Sequence, residues 1–259
     1  MLDAGTGLRA VTPLLDGSAF VGTILLTHLH WDHVQGLPFF AAGDRPDASV
    51  TLLMPADNEP AFDRLSRSMS PPHFPIGPDG LLGTWCFDAV EEGWNEIENL
   101  RILVREVPHK GGRTFGYRVE DDHGSFAYIP DHLPAADGPA RLAALELADE
   151  VDVLVHDAQF LAGESAAAAN YGHSTMEQAV ALAAESGARE LVLFHHAPGR
   201  TDDAADTLLA EAITSASCPV RLAVEGAEQT PGSTTSAKGR QPPRHGVCRV
   251  PDPPHPRPA

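Results

Sequence analysis

The chain has few cysteines and few basic residues. Its 259 residues include only three cysteines, Cys86, Cys218 and Cys248, which lie far apart and form no CxxC spacing. This pattern argues against a disulfide framework and against a cysteine zinc cage. Only 18 Lys and Arg residues accompany 36 Asp and Glu residues, so the net charge is −18. A charge of this sign disfavours nonspecific binding to nucleic acid through the overall field of the protein.

Long apolar runs are also absent. No stretch approaches the roughly 18 consecutive apolar residues that a membrane span needs. The first residues, Met1-Leu2-Asp3, turn polar too early for a secretory signal. From these two absences we predict a cytoplasmic protein with no membrane partner.

The acidic charge is spread unevenly along the chain. Residues 1–226 carry 34 acidic and 13 basic residues, a net charge of −21, whereas residues 227–259 carry 2 and 5, a net charge of +3. The terminal segment also holds 8 of the 23 prolines and shows almost no apolar periodicity, so it cannot bury enough surface to offset ordering. We predict a folded domain over residues 1–226 and a disordered proline-rich tail over residues 227–259.

Within the folded part, short apolar runs alternate with helical patterns, which is typical of an α/β domain. The predicted strands are residues 23–27, 50–54, 100–107, 115–119, 125–129, 151–155, 190–194 and 220–224, and the predicted helices are residues 59–68, 139–148, 175–186 and 204–216. Ser174 followed by Glu177 predicts an N-cap with a capping box for the third helix. The proline- and glycine-rich residues 70–83 predict a long loop.

Histidine is the unusual residue, with 13 copies. Three of them lie with a carboxylate in the run THLHWDH at residues 27–33, directly after the apolar residues 24–26. These four side chains are His28, His30, Asp32 and His33. Neutral imidazole nitrogens and carboxylate oxygens are the ligands that divalent cations such as zinc take. The alternative is a chance cluster of surface histidines, which the position at the end of a strand disfavours.

Further His and Asp residues follow other predicted strands. One loop supplies too few ligands for two complete metal sites, so more must come from elsewhere in the chain. His109, Asp131 and His195 each follow a predicted apolar strand. The sequence therefore predicts that these side chains meet the histidine run along one edge of a sheet.

These motifs resemble those of the metallo-β-lactamase fold hydrolases, nearest to the phosphodiesterase and ribonuclease Z branch. The resemblance covers roughly residues 2–226. It is carried by LDAGTG at residues 2–7, HLHWDH at 28–33 with GLP at 36–38, PH at 108–109, YIPD at 128–131, HDA at 156–158, GHST at 172–175 and LFHH at 193–196.

The resemblance implies a four-layer αββα sandwich with the site at one edge of its two sheets. It implies that His28, His30 and His109 hold one metal ion. Asp32, His33 and His195 would hold the second, and Asp131 would bridge both. We expect two divalent ions, zinc first, with manganese or iron as alternatives.

Two features of the chain depart from this pattern. Family members have a strand pair before the position of Asp3, whereas this chain begins at that position. We therefore expect either a sandwich that lacks its first N-terminal strands, with an unpaired sheet edge, or a misplaced start. Trp31 also replaces the small residue that is usual between the second histidine and the aspartate.

Four residues are expected to support the ligands rather than bind metal. The resemblance implies that Asp3 steadies the histidine loop, the alternative being a simple turn. His156 and Asp157 follow another predicted strand and are expected to have a similar role, and the alternative for His156 is a satisfied buried histidine. Chemistry does not decide between His195 and His196, because adjacent strand residues point to opposite faces. We favour His195 as the ligand and expect His196 to support the ligands without binding metal. His132 is expected to be exposed or to face the substrate.

The predicted chemistry is phosphodiester hydrolysis by attack of a metal-bridging hydroxide. Asp32 would help to orient the hydroxide. By resemblance His173 would donate a proton to the leaving group, the alternative being an exposed residue before a helix. Only 21 residues separate His109 from Asp131, too few for the arm with which typical ribonuclease Z enzymes grip tRNA.

We therefore favour a small phosphodiester, such as a cyclic nucleotide, as the substrate. The first alternative is a ribonuclease Z-like endonuclease that acts on tRNA 3′ ends. The second is a degenerate metal-binding or interaction domain without catalysis. A homodimer is the default expectation for the assembly.

Overall fold

The computed structural model describes residues 1–226, which form two sheets flanked by helices. The strands are β1 Val21–Leu25, β2 Ser49–Pro55, β3 Thr84–Val90, β4 Gly93–Ile97, β5 Leu100–Glu106, β6 Phe115–Glu120, β7 Ser125–Ile129, β8 Val153–Asp157, β9 Leu191–Phe194 and β10 Val220–Leu222. The helices are α1 Trp31–Val34, α2 Ala61–Ser66, α3 Gly138–Ala148, α4 Ser165–Tyr171, α5 Met176–Ser186 and α6 Asp202–Ser215. The predicted disordered tail, residues 227–259, lies outside the described residues and stays a prediction.

Strand order brings several strand ends to one edge. The smaller sheet has the order β1-β2-β3 and is parallel, and the larger has the order β10-β9-β8-β7-β6-β5-β4. Strands β7 to β10 are parallel, whereas β4 to β7 pair antiparallel. Consequently β5, β7, β8 and β9 all run in the same direction, and the loops that follow them emerge at the same edge.

The apolar side chains form three layers of core. One cluster lies between the sheets and includes Leu25, Val104 and Phe115. A second joins the larger sheet to α3, α5 and α6, and a third joins the smaller sheet to α1 and α2. This is the predicted αββα layering. No helix within residues 1–226 is both long and apolar enough to cross a membrane.

Residues 1–3 lie alongside β1. The Met1 amino group donates to the Thr23 carbonyl (2.8 Å), the Leu25 amide donates to the Met1 carbonyl (2.9 Å), and the Asp3 amide donates to the Leu25 carbonyl (2.8 Å). At the opposite end of the strand, Val21 is 72% exposed. The edge of β1 is therefore covered at the end nearest the histidine run.

The helix α5 starts one residue later than predicted. Thr175 is its N-cap, and its hydroxyl accepts from the Gln178 amide while the Gln178 side chain accepts from the Thr175 amide. The predicted cap, Ser174, is instead fully buried and donates its hydroxyl to the His132 carbonyl (2.7 Å). Both hydroxyl residues fit a capping pattern by sequence, and burial of Ser174 against a neighbouring loop decides between them.

Candidate metal centre

Hydrogen bonds between the sheets position the histidine run. The Phe115 amide on β6 donates to the Thr27 carbonyl (2.9 Å), and the Tyr117 hydroxyl donates to the Leu26 carbonyl (2.7 Å). These bonds hold the loop after β1 against the larger sheet. The side chains that follow therefore lie beside the ends of β5, β7 and β9.

The structure brings the seven predicted ligand side chains together in two groups. One group consists of His28, His30, His109 and Asp131, and the other consists of Asp32, His33, Asp131 and His195. Within each group the candidate ligand atoms all lie within 4.8 Å of one another. Only Asp131 belongs to both of these groups.

Asp131 presents one oxygen to each group. Its Oδ2 lies 3.4 Å from His28 Nε2 and 3.5 Å from His109 Nε2. Its Oδ1 lies 3.3 Å from His33 Nε2 and 3.4 Å from His195 Nε2. The carboxylate is 1% exposed, so its surroundings are these imidazoles rather than water. This is the arrangement that a bridging ligand requires.

The polar atoms of the cluster fit divalent cations. His28 Nε2, His33 Nε2 and Asp131 Oδ1 are buried, and none has a hydrogen-bond partner in the part of the chain that the structure describes. Buried polar atoms without partners are uncommon and costly. Two ligand atoms about 2.0–2.2 Å from one tetrahedral cation lie about 3.3–3.6 Å apart, close to the separations around Asp131. The residues present therefore suit the metal ions expected from the sequence.

Hydrogen bonds on the far side of two rings fix their orientation. His33 Nδ1 lies 2.7 Å from Asp3 Oδ2, and His109 Nδ1 lies 2.7 Å from the Gly172 carbonyl. Because these oxygens only accept, Nδ1 of each ring carries a proton, and Nε2 faces the cluster, where its lone pair can bind a cation once the ring is neutral. Asp3 also accepts from the Thr27 amide (2.7 Å) and the Tyr128 hydroxyl (3.0 Å). Asp3 lies where the sequence predicts a supporting carboxylate, although the role itself stays a prediction.

The side chains of the cluster differ in their expected charge. Burial, followed by the influence of nearby His33, lowers the pKa of His28 to about 2, so its ring is neutral. Burial would lower the pKa of His33 as well, but the three nearby carboxylates, Asp131 first, raise it to about 12, so a cation that binds Nε2 would displace a proton. The imidazoles of His195 and His33 hold the pKa of Asp32 well below its usual range. Ionised carboxylates thus supply the negative charge that a cation needs.

His195 and His196 have different surroundings. His195 has a left-handed backbone (φ 57°), and its Nε2 lies 3.2 Å from Asp32 Oδ2. The two ring nitrogens of His196 are buried and have no hydrogen-bond partner among residues 1–226. The geometry thus brings His195 to the cluster, as the sequence favours. The proposed roles of both histidines stay predictions.

His132 is buried, so the expectation of an exposed residue is wrong, while the alternative of a substrate-facing residue stays a prediction. Only 2% of it is exposed, and its Nδ1 lies 2.9 Å from His156 Nε2. His156 Nδ1 in turn lies 2.8 Å from the Asp157 carbonyl. His132 follows Asp131 directly, and neighbouring residues of an extended chain point to opposite sides. The two buried histidines therefore partner each other, and neither bonds to the seven clustered side chains.

His173 is held by a carboxylate that the sequence did not pair with it. Its Nδ1 lies 2.9 Å from Asp157 Oδ2, and its ring stacks on that of His195 with centroids 4.9 Å apart. Asp157 also accepts from the backbone amides of Ser174 and Gln159. With 8% exposure, His173 is not an exposed residue before a helix. The available signal was that Asp157 ends a strand, β8, at the same edge.

A cavity opens beside the cluster. Its volume is about 620 Å³, within the range of small-molecule sites. The lining includes His30, His109, Lys110, Phe160, Tyr171 and His173. Phe160 and Tyr171 belong to no recognisable motif, since an aromatic residue before or within a helix carries no specific signal in the sequence. The cavity gives a substrate direct access to His173.

Comparisons with known sequences agree with the motifs. The family model described as the beta-lactamase superfamily domain matches residues 1–196. A ribonuclease Z from Exiguobacterium sibiricum is 28% identical over 224 residues, which cover 68% of this chain and 71% of the relative. A ribonuclease Z from Salinispora arenicola is 31% identical over 223 residues, which cover 66% and 67%.

Solved structures share the fold. The metallo-β-lactamase fold protein YhfI from Bacillus subtilis superposes with a TM-score of 0.68 at 18% identity, covering 87% of this chain and 85% of its own. The short form of human tRNase Z gives a TM-score of 0.60 at 19% identity, covering 89% and 87%. A diphosphatase from the PhnP family gives 0.60 at 20% identity, covering 91% and 81%.

Proposed function

The chain belongs to the β-lactamase superfamily of metal-dependent hydrolases, and we propose that it cleaves phosphodiester bonds with two divalent cations. The observation that carries this proposal is Asp131, whose two oxygens face two separate groups of imidazoles. We assign the first ion to His28, His30 and His109 and the second to Asp32, His33 and His195, with Asp131 bridging. Five imidazoles and two carboxylates favour zinc, with manganese and iron as alternatives.

The two cations and the side chain of Asp32 would hold the reacting groups. Two divalent cations supply a polarised water molecule and neutralise the charge that develops on a phosphoryl oxygen. Asp32 would orient the attacking water; its side chain is 59% exposed, and its Oδ2 lies 3.3 Å from His33 Nε2. The side chain therefore reaches both the cluster and the open side of the site.

His173 donates a proton to the leaving oxygen. Asp157 engages its Nδ1 at 2.9 Å, which leaves Nε2 for the substrate. Because Asp157 is itself fixed by three backbone amides, the imidazole is oriented before the substrate binds. His173 also lines the cavity, where the departing group would lie.

A small phosphodiester such as a cyclic nucleotide is the substrate that we favour. Residues 110–130 are taken up by β6, β7 and short connections, so they contribute no long arm to grip a folded RNA. The net charge of −21 over residues 1–226 disfavours a long polyanion. The alternative is cleavage of tRNA 3′ ends, which the ribonuclease Z names of the relatives favour.

Metal content and turnover together test this proposal. We expect about two zinc, manganese or iron ions per chain by mass spectrometry and hydrolysis of bis-(p-nitrophenyl) phosphate. Fewer than one ion per chain would contradict it. Comparing 3′,5′-cyclic AMP with a precursor tRNA then decides the substrate: faster turnover of the tRNA would replace our favoured substrate with the alternative.

A further inference from the structure

Two aromatic rings line the cavity on the same side as His173. Tyr171 has a large aromatic side chain, and 58% of the residue is exposed. Its plane is within 9° of the Phe160 plane, and the two centroids are 6.3 Å apart. The Phe160 ring lies 6.2 Å from the ring of His173. The rings thus form an aromatic wall, Tyr171 and Phe160, that leads from solvent to the proposed proton donor.

The aromatic wall is built into the loops that carry the metal cluster. Tyr171 ends α4, and the next residue, Gly172, has a left-handed backbone (φ 86°) and accepts from His109 Nδ1. A side chain at Gly172 would lie 2.6 Å from the Lys110 amide, so only glycine allows this approach. At the second ring of the wall, the Phe160 carbonyl accepts from the Met176 amide (2.9 Å). The backbone that carries each ring is therefore tied to the loops of His109 and His173.

Positive charge lies against the same wall. The Lys110 ammonium donates to the Asn170 carbonyl (2.8 Å) and lies 6.0 Å from the Tyr171 ring centroid. An ammonium group near an aromatic face, beside imidazoles, suits a ligand that is both planar and anionic. A plain alkyl phosphodiester would contact the charged groups but leave the exposed part of Tyr171 uncovered.

Resting on the proposed function, we propose that Tyr171 and Phe160 stack against a nucleobase, so that the substrate is a nucleotide phosphodiester whose base lies on the His173 side of phosphorus. Aromatic side chains bind bases through their flat faces, with little dependence on base identity. The cavity of about 620 Å³ is of the size that holds one small ligand. Tyr171 and Phe160 are then specificity residues that act on binding rather than on the proton transfer.

Binding of two phosphate monoesters that differ only in the base tests this inference. We would titrate the zinc-loaded protein calorimetrically with AMP and with ribose 5-phosphate. Loss of one stacked base weakens binding about ten-fold or more, so we expect AMP to bind about ten-fold more tightly than ribose 5-phosphate. Tyr171→Ala should remove most of this preference, and Tyr171→Phe should keep it because the flat ring remains.

A matched control uses another exposed aromatic residue. Trp94 on β4 is 47% exposed but packs under Arg101 rather than in the cavity, so Trp94→Ala should keep the preference for AMP. Equal binding of the two monoesters by the unaltered protein, or an undiminished preference in Tyr171→Ala, would overturn the inference. Turnover of bis-(p-nitrophenyl) phosphate separates the two proposals: hydrolysis without base preference refutes only the stacking surface, whereas base preference without hydrolysis refutes only the proposed function.

Discussion

Adjacent residues of this chain do different work at the site. Asp131 lies among imidazoles of both groups, while its neighbour His132 turns away and pairs with His156. The same contrast separates His195 from His196. Position along the chain therefore limits the candidate ligand to one of two adjacent residues. The direction of the side chain then decides which of the two faces the cluster.

At the residue scale, we expect His33→Ala to abolish diesterase activity. His33 Nε2 faces both Asp32 and Asp131, and its Nδ1 is held by Asp3. Removing the ring deletes one proposed ligand of the second ion and leaves three carboxylates without their shared partner. The measurement is turnover of bis-(p-nitrophenyl) phosphate together with metal content. His123→Ala, at an exposed turn between β6 and β7, is the control, and an undiminished rate in His33→Ala would refute the site assignment.

His173 should behave differently, because we place it outside both metal sites. General acid catalysis contributes about 100- to 10,000-fold, so His173→Ala should lower kcat by a factor in that range while the metal content stays the same. Asp157→Asn should also lower kcat, since the amide no longer provides the carboxylate that holds Nδ1. Loss of metal from His173→Ala would show instead that His173 is a ligand.

At the element scale, eight of the ten described strands were predicted within about two residues of their bounds, and β3 and β4 were missed. The strand β7 has the predicted bounds, and β5 and β6 differ from theirs by one residue. By contrast β4, with the sequence GWNEI, contains Gly, Asn and Glu, which are poor strand formers. Its pairing with β5 supplies the stability that its own residues lack. The helix α4, with the sequence SAAAANY, has high helix propensity but no amphipathic period, so its sequence carries no periodic signal of a helix.

Close packing between the N-terminal loop and the chain after α1 leads to a prediction for Gly36. A Cβ at Gly36 would lie 1.9 Å from the Gly5 carbonyl oxygen and 2.8 Å from that of Ala4. These are backbone atoms next to Asp3, so they cannot move without disturbing the support of His33. Gly36→Ala should therefore cost about 1–3 kcal/mol, which corresponds to a fall in Tm of roughly 2–12 °C.

The matched control for this substitution is Gly7→Ala. A Cβ at Gly7 meets nothing within 4 Å, so its Tm should change little. Thermal unfolding of the two variants beside the unaltered protein makes the comparison. Equal melting temperatures for both variants would contradict the close approach of the two loops.

At the scale of the whole molecule, the proposed metal ions would link the two sheets. The first group joins the loop after β1 to those after β5 and β7, and the second joins it to those after β7 and β9. A ligand at about 1,000 times its Kd stabilises the native state by about 4 kcal/mol. Removal of the ions with a chelator should therefore lower Tm by roughly 8–16 °C, and added zinc should restore it. Scanning calorimetry of the two forms is the measurement, and an unchanged Tm would contradict cations held between the sheets.

The sequence by itself determined the α/β class and the His and Asp side chains that follow the strands, because strand ends and metal-ligand types are local features. It also carried the resemblance from which the αββα layering was expected. Only the tertiary structure decided which residue of each adjacent pair faces the cluster. It also decided the pairing of His173 with Asp157, the contact between His132 and His156, and the position of the aromatic wall. Each of these depends on how separate segments pack, since the direction of a side chain and its distant partners are set when the sheets and helices come together.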